Sequence, residues 1–115
     1  MAFRMRTPDG QSLWAGATYR DRGGIRTVYS REAIELAPQR VWQSPRTGAT
    51  YPVAWRVHVG ALHLTLEPLM DDQESDTRAS VGAVYWEGAV RAFENGKRVG
   101  RGYLELTGYL QQLRL

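Results

Sequence analysis

The chain has 115 residues and no cysteine, and its fifteen Lys and Arg against twelve Asp and Glu leave a formal net charge of +3. That length suits one compact domain, residues 1–115, with a single core, while the missing thiols exclude disulfides and thiolate metal centres. Basic residues scattered from Arg4 to Arg114 make no footprint for nucleic acid; no apolar run is long enough for a membrane span, and no leader-like stretch precedes Pro8, so the sequence, taken as complete, reads as cytoplasmic.

In chain order, "AFRMR" alternates Phe3 and Met5 with Arg4 and Arg6 before the turn Pro8-Asp9-Gly10. "SLWAGATY" then sets Leu13, Ala15, Ala17 and Tyr19 opposite Trp14 and Thr18, and "IRTVYS" and "AIELAPQRVW" follow as further strands. After Ser44-Pro45-Arg46-Thr47-Gly48 comes the clearest segment, "YPVAWRVHVGALHLTLEP". With Gly60-Ala61 as a two-residue loop, Val59 faces Leu62, Val57 faces Leu64 and Trp55 faces Leu66, which gives one apolar face and one polar face.

"MDDQESDTR" concentrates Asp71, Asp72, Glu74 and Asp76. Four carboxylates in six positions suggest oxygen ligands for a hard cation, but the central glycine and terminal glutamate of an EF-hand are missing, and the segment reads as a solvated, partly mobile loop. The last hairpin, "VYWEGAVRAFENGKRVGRGYLEL", turns at Asn95-Gly96, a pair suited to the positive φ of a type I′ turn. Counted straight out, Trp86 opposes Glu105 and Glu87 opposes Leu104. One inserted residue near Gly100-Arg101-Gly102 brings Glu87 against Glu105 instead. About eight antiparallel strands result, an all-β chain closed into a barrel that is either filled or holds one small apolar ligand.

Candidate chemistry gathers on that hairpin. At least one of Glu87 and Glu105 is expected to face the interior, where an unpaired carboxylate is costly. Flanked by Tyr85, Trp86 and Tyr103, it is a candidate general acid or a polar anchor for a ligand. The plainer account is an ion pair with Arg46, Arg56 or Arg91. Trp14 and Trp86 either line a cavity or fill it, and Trp55 is core by its alternation. His58 and His63 are cross-strand neighbours without a third ligand, so no metal is predicted. No nucleophile elbow, phosphate loop or zincin motif occurs, and no cofactor is predicted.

Three segments, "WQSPRTGATYPVAWRV" (42–57), "LEPLMDDQE" (66–74), and "YWEGAVR" (85–91) with "GRGYLELTGY" (100–109), together resemble the C-terminal half of the lipocalin-like family that includes carotenoid 1,2-hydratases and bacterial proteins called secreted hydrolases. The resemblance runs from Met1 to about Tyr109. It implies a calycin-type barrel of eight to ten strands with an apolar cavity, one of two tandem barrels in the family, whose members are often exported. "MAFRMR" is similar to the strand where the family's first half passes into its second. Where the hydratases carry a tyrosine and an aspartate, this chain has Phe3 and Arg4, neither of which can donate the proton that alkene hydration needs. A lone half implies an exposed face, open to a homodimer or a first-half barrel partner.

The first reading is thus a lipocalin-like domain binding an apolar small molecule, with Trp14, Tyr85, Trp86 and Tyr103 as contacts and Glu87 as anchor or arginine partner. The second is a hydratase, isomerase or cyclase on a polyene or terpenoid-like substrate, with Glu87 or Glu105 as acid. The third is an assembly module with a filled barrel.

Overall fold

The computed structural model describes residues 1–110. Among the described residues nine strands form: β1 (Ala2–Arg6), β2 (Ser12–Arg20), β3 (Arg26–Tyr29), β4 (Ile34–Gln43), β5 (Thr50–Val59), β6 (Leu62–Pro68), β7 (Glu74–Asp76), β8 (Val84–Glu94) and β9 (Lys97–Leu106), with one short 3-10 turn at Arg31–Ala33. The chain is all-β, as its alternation predicts, and among the described residues no helix is long and apolar enough to cross a membrane.

Hydrogen bonding divides the strands into two antiparallel sheets. The first has the order β1-β2-β3; the second runs β4-β5-β6-β8-β7, with β9 on the other side of β8. Among the described residues no strand pair joins them, so the expected closed barrel is replaced by two facing sheets. The physical reason lies at β3, which has only four residues before the 3-10 turn lifts the chain out of the first sheet. Side chains span the gap instead: Arg4 donates to the Leu36 carbonyl at 3.0 Å, and Arg6 to the Gly108 carbonyl at 3.4 Å.

The β5–β6 hairpin takes the predicted register, with Val59 opposite Leu62, Val57 opposite Leu64 and Trp55 opposite Leu66. Its turn glycine, Gly60, has φ +57°, and a Cβ there would stand 2.5 Å from the Tyr29 ring. The core is built on this hairpin and β8: Tyr51, Val53, Trp55, Trp86, Val90 and Leu106 form one buried cluster. Trp86 is wholly enclosed, at 0% exposure, and its indole nitrogen donates to the Asp71 carbonyl at 2.7 Å. It therefore fills the interior as a core residue with its one donor satisfied.

Strand β8 is long enough to serve two partners end to end, β6 along Val90–Phe93 and β7 along Val84–Trp86. The gap between them is closed by Gln73. Its side-chain amide accepts from the Ala89 N–H at 2.9 Å and donates to the Ala89 carbonyl at 3.2 Å, as a neighbouring strand's backbone would. Gly88 makes room for it, since a Cβ there would lie 2.1 Å from the Gln73 amide carbon. In β9, the ladder steps from Gly100 opposite Ala92 to Arg98 opposite Phe93, so Val99 is a bulge.

Candidate functional site

Between the two sheets lies a half-open cleft of about 600 Å³. Its floor is the apolar face of the β5–β6 hairpin, Trp55, Val57, Leu62, Leu64 and Leu66, with Leu36 from β4 and Leu104 and Leu106 from β9. Its roof is β1. Because Ala2 pairs with Ala17 and Arg4 with Ala15, the even-numbered residues of β1 share a face with the two buried alanines of β2, and the arginines turn into the cleft. The guanidinium of Arg4 lies 5.5 Å from the Trp55 ring centroid and that of Arg6 lies 4.1 Å from the Tyr109 centroid. Phe3 and Met5 face outward, with the Phe3 ring edge-on to Trp14 at 5.0 Å.

The residues singled out from the sequence are dispersed. The Val99 bulge puts Glu87 directly opposite Glu105, on the face away from Trp86 and Leu106. The inward carboxylate expected there is therefore corrected: Glu105 is exposed and Glu87 half-buried on the outer face. Tyr103 stands next to them at 69% exposure, and partial desolvation, then the Glu87 charge, raises the pKa of its phenol. Tyr103 and Glu105 border the cleft; Tyr85, Trp86 and Glu87 do not, and Trp14, 60% exposed, lies on the outer side of the first sheet.

Among the described residues none of the three arginines expected beside Glu87, Arg46, Arg56 and Arg91, forms an ion pair with it. Arg46 pairs with Asp72 at 2.6 Å and Glu74 at 3.4 Å, and Arg56 pairs with Glu35 at 2.7 Å. Glu35 also approaches His58 at 3.4 Å, and the His58 and His63 rings lie tilted by 48° with centroids 4.0 Å apart. Among the described residues no three metal-ligating side chains converge.

The acidic segment expected as a solvated loop is instead anchored, which is a second correction. Asp71 pairs with Arg40 at 2.8 Å. The Glu74 side chain is at 0% exposure and accepts from the Ser44 hydroxyl at 2.6 Å and the Thr47 hydroxyl at 2.7 Å. Burial pushes the Glu74 pKa up, but the hydroxyls of Ser44 and Thr47 and the Arg46 charge outweigh it and hold it below the ordinary value. The Tyr51 hydroxyl is buried near enough to Glu74 to feel its charge yet has no hydrogen bond of good geometry, and burial and that carboxylate push its pKa far up. This cluster ties the 44–49 turn to β7 and is structural.

The polar groups that do enter the cleft, Arg4 and Arg6, were missed as site residues. The signal was present in β2, where alanines at 15 and 17 leave space for long side chains across the pair.

A profile of the AttH-like family matches residues 1–109. The crystal structure of a candidate AttH from Nitrosomonas europaea is similar with a TM-score of 0.90 and 49% sequence identity, over 96% of this chain and 34% of that one. This chain thus spans about a third of the length of that protein. No curated protein matches. The lipocalin-like resemblance agrees with these findings only coarsely, at the level of an all-β fold. The chain belongs to the AttH-like family.

Proposed function

We propose that the chain is a lipocalin-like binding module that holds an apolar small molecule between its two sheets. The observation that carries the reading is the cleft of about 600 Å³ walled by Leu, Val and Trp side chains, within the size range of small-molecule sites, roughly 300–1,000 Å³. A filled interior would favour an assembly module instead. Replacing Leu64 by Trp puts an indole into the cleft from the centre of its floor. Binding of a fluorescent apolar probe should fall about tenfold, equivalent to about 1.4 kcal/mol, with the far-UV circular dichroism unchanged. Equal probe binding by both proteins would sink the reading.

A hydratase, isomerase or cyclase acting on a polyene has one acidic group at this cleft among the described residues, Glu105 at its border. That reading requires Glu105→Gln to abolish turnover and spare binding. The outer face of the first sheet, where Met5, Trp14 and Val28 are exposed, offers a surface for a second copy of the chain or for a first-half barrel.

A further inference from the structure

Arg4 and Arg6 distinguish this cleft from a purely oily one. They lie two residues apart on β1, so both side chains leave the same face with Cα atoms about 7 Å apart. Each guanidinium carries five N–H donors and no acceptor. Arg4 uses one donor on the Leu36 carbonyl and Arg6 one, at 3.4 Å, on the Gly108 carbonyl. Among the described residues no carboxylate lies within ion-pair distance of Arg4 or Arg6.

Two half-buried cations that share a strand face and have no counter-ion repel one another and lose part of their hydration. Stacking on Trp55 and Tyr109 compensates only in part, because a cation–π contact is a weak attraction unless it is fully desolvated. The unused N–H groups border the same space as Leu36, Val57, Leu62 and Leu64. An anionic oxygen cluster placed there would gain charge-assisted hydrogen bonds, while a hydrocarbon chain attached to it would lie along those apolar side chains. Glu105, at the border on β9, carries the opposite sign to the arginines and would repel an anion brought close to it.

We propose that the ligand is a single-chain amphiphile with an anionic head, a carboxylate or a phosphate ester, whose head sits between Arg4 and Arg6 and whose tail runs over the β5–β6 hairpin. This rests on the apolar-binding reading and adds to it the sign of the charge and the two residues that read it.

Calorimetric titration of the protein with dodecanoate, dodecyl phosphate and dodecanol, each below its micellar concentration, separates the two levels. At least one anion should bind about tenfold or more tighter than the alcohol, since its charge-assisted hydrogen bonds to the guanidinium groups have no equal in a neutral hydroxyl. The better anion identifies the head group. In Arg4→Gln/Arg6→Gln that preference should collapse while dodecanol binding is retained. Should the double variant misfold, the wild-type preference must still shrink as salt rises from about 0.05 to about 0.5 M. Equal binding of all three amphiphiles would overturn the charge assignment and leave the apolar cleft standing. Binding of none would overturn both.

Discussion

Replacing Gly88 by Ala tests how the gap between β6 and β7 is closed. In an ordinary strand this change is favourable by about 0.5–1 kcal/mol, because alanine loses less backbone freedom on folding. Here the new methyl would stand 2.1 Å from Cδ and Oε1 of Gln73 and 2.6 Å from Nε2. The Gln73 side chain can move away, but only by giving up its bonds to the Ala89 N–H and carbonyl and to the Met70 carbonyl. An Ala89 N–H left unsatisfied costs about 1–3 kcal/mol, which outweighs the strand gain and leaves a net loss of about 1–2 kcal/mol. Thermal unfolding should show it as a Tm lowered by about 5–10 °C, given about 4–8 °C per kcal/mol for a domain near this size. In a Gln73→Ala background the clash is absent, so the same substitution should be neutral or stabilising, a coupling that a double-mutant cycle reads directly. A higher Tm for Gly88→Ala in the wild-type background would refute the reasoning.

Trp86→Ala should destabilise by about 3–5 kcal/mol in denaturant titration, since the ring is wholly buried and anchors the Asp71 carbonyl; a loss under about 1 kcal/mol would contradict its place at the centre of the core. Glu74→Gln should cost about 1.5–3 kcal/mol at neutral pH, the worth of hydrogen bonds to a charged group. Because the folded-state pKa of Glu74 lies below its ordinary 4.5, its stabilisation is present above pH 4.5 and is lost as pH falls through the lower folded value. The gap between wild type and Glu74→Gln should therefore close in acid, measured at high salt to screen the exposed pairs of Asp72 and Asp76; a gap constant down to pH about 3 would count against it. Trp14→Ser should cost about 0.5–1.5 kcal/mol, the worth of its edge-on pair with Phe3, and weaken self-association in sedimentation, and a chain that stays monomeric at high concentration would remove the dimer proposal.

What the sequence made legible follows from how strongly each element constrains its own register. The β5–β6 hairpin alternates without interruption from Tyr51 to Glu67 around a two-residue turn, so a slip by one residue would expose every leucine and valine. The β8–β9 hairpin has an equally clear turn at Asn95-Gly96, yet Gly100 and Gly102 present no side chain to lock the pairing. The bulge at Val99 was therefore one of two open registers, and it decides that Glu87 and Glu105 share the outer face.

Strand β7 and the burial of Glu74 were hidden for a different reason. Locally, Asp71, Asp72, Glu74 and Asp76 look like a solvated run, and only Ser44, Thr47 and Arg46, about thirty residues earlier, make one of those carboxylates an interior group. Barrel closure failed likewise, because strand number does not fix which edges meet, and a four-residue β3 leaves the first sheet separate. For β1, alternation separates two faces without saying which is inside. The alanines of β2 decided it in favour of the arginines, against the habit of turning Phe and Met inward.

The most direct test of the account is native mass spectrometry of the protein purified from its own host, beside the Leu64→Trp variant prepared in the same way. Each wild-type chain should carry one small apolar adduct, and the variant should lack it. Bare chain masses for both proteins, together with equal binding of an added apolar probe, would contradict it.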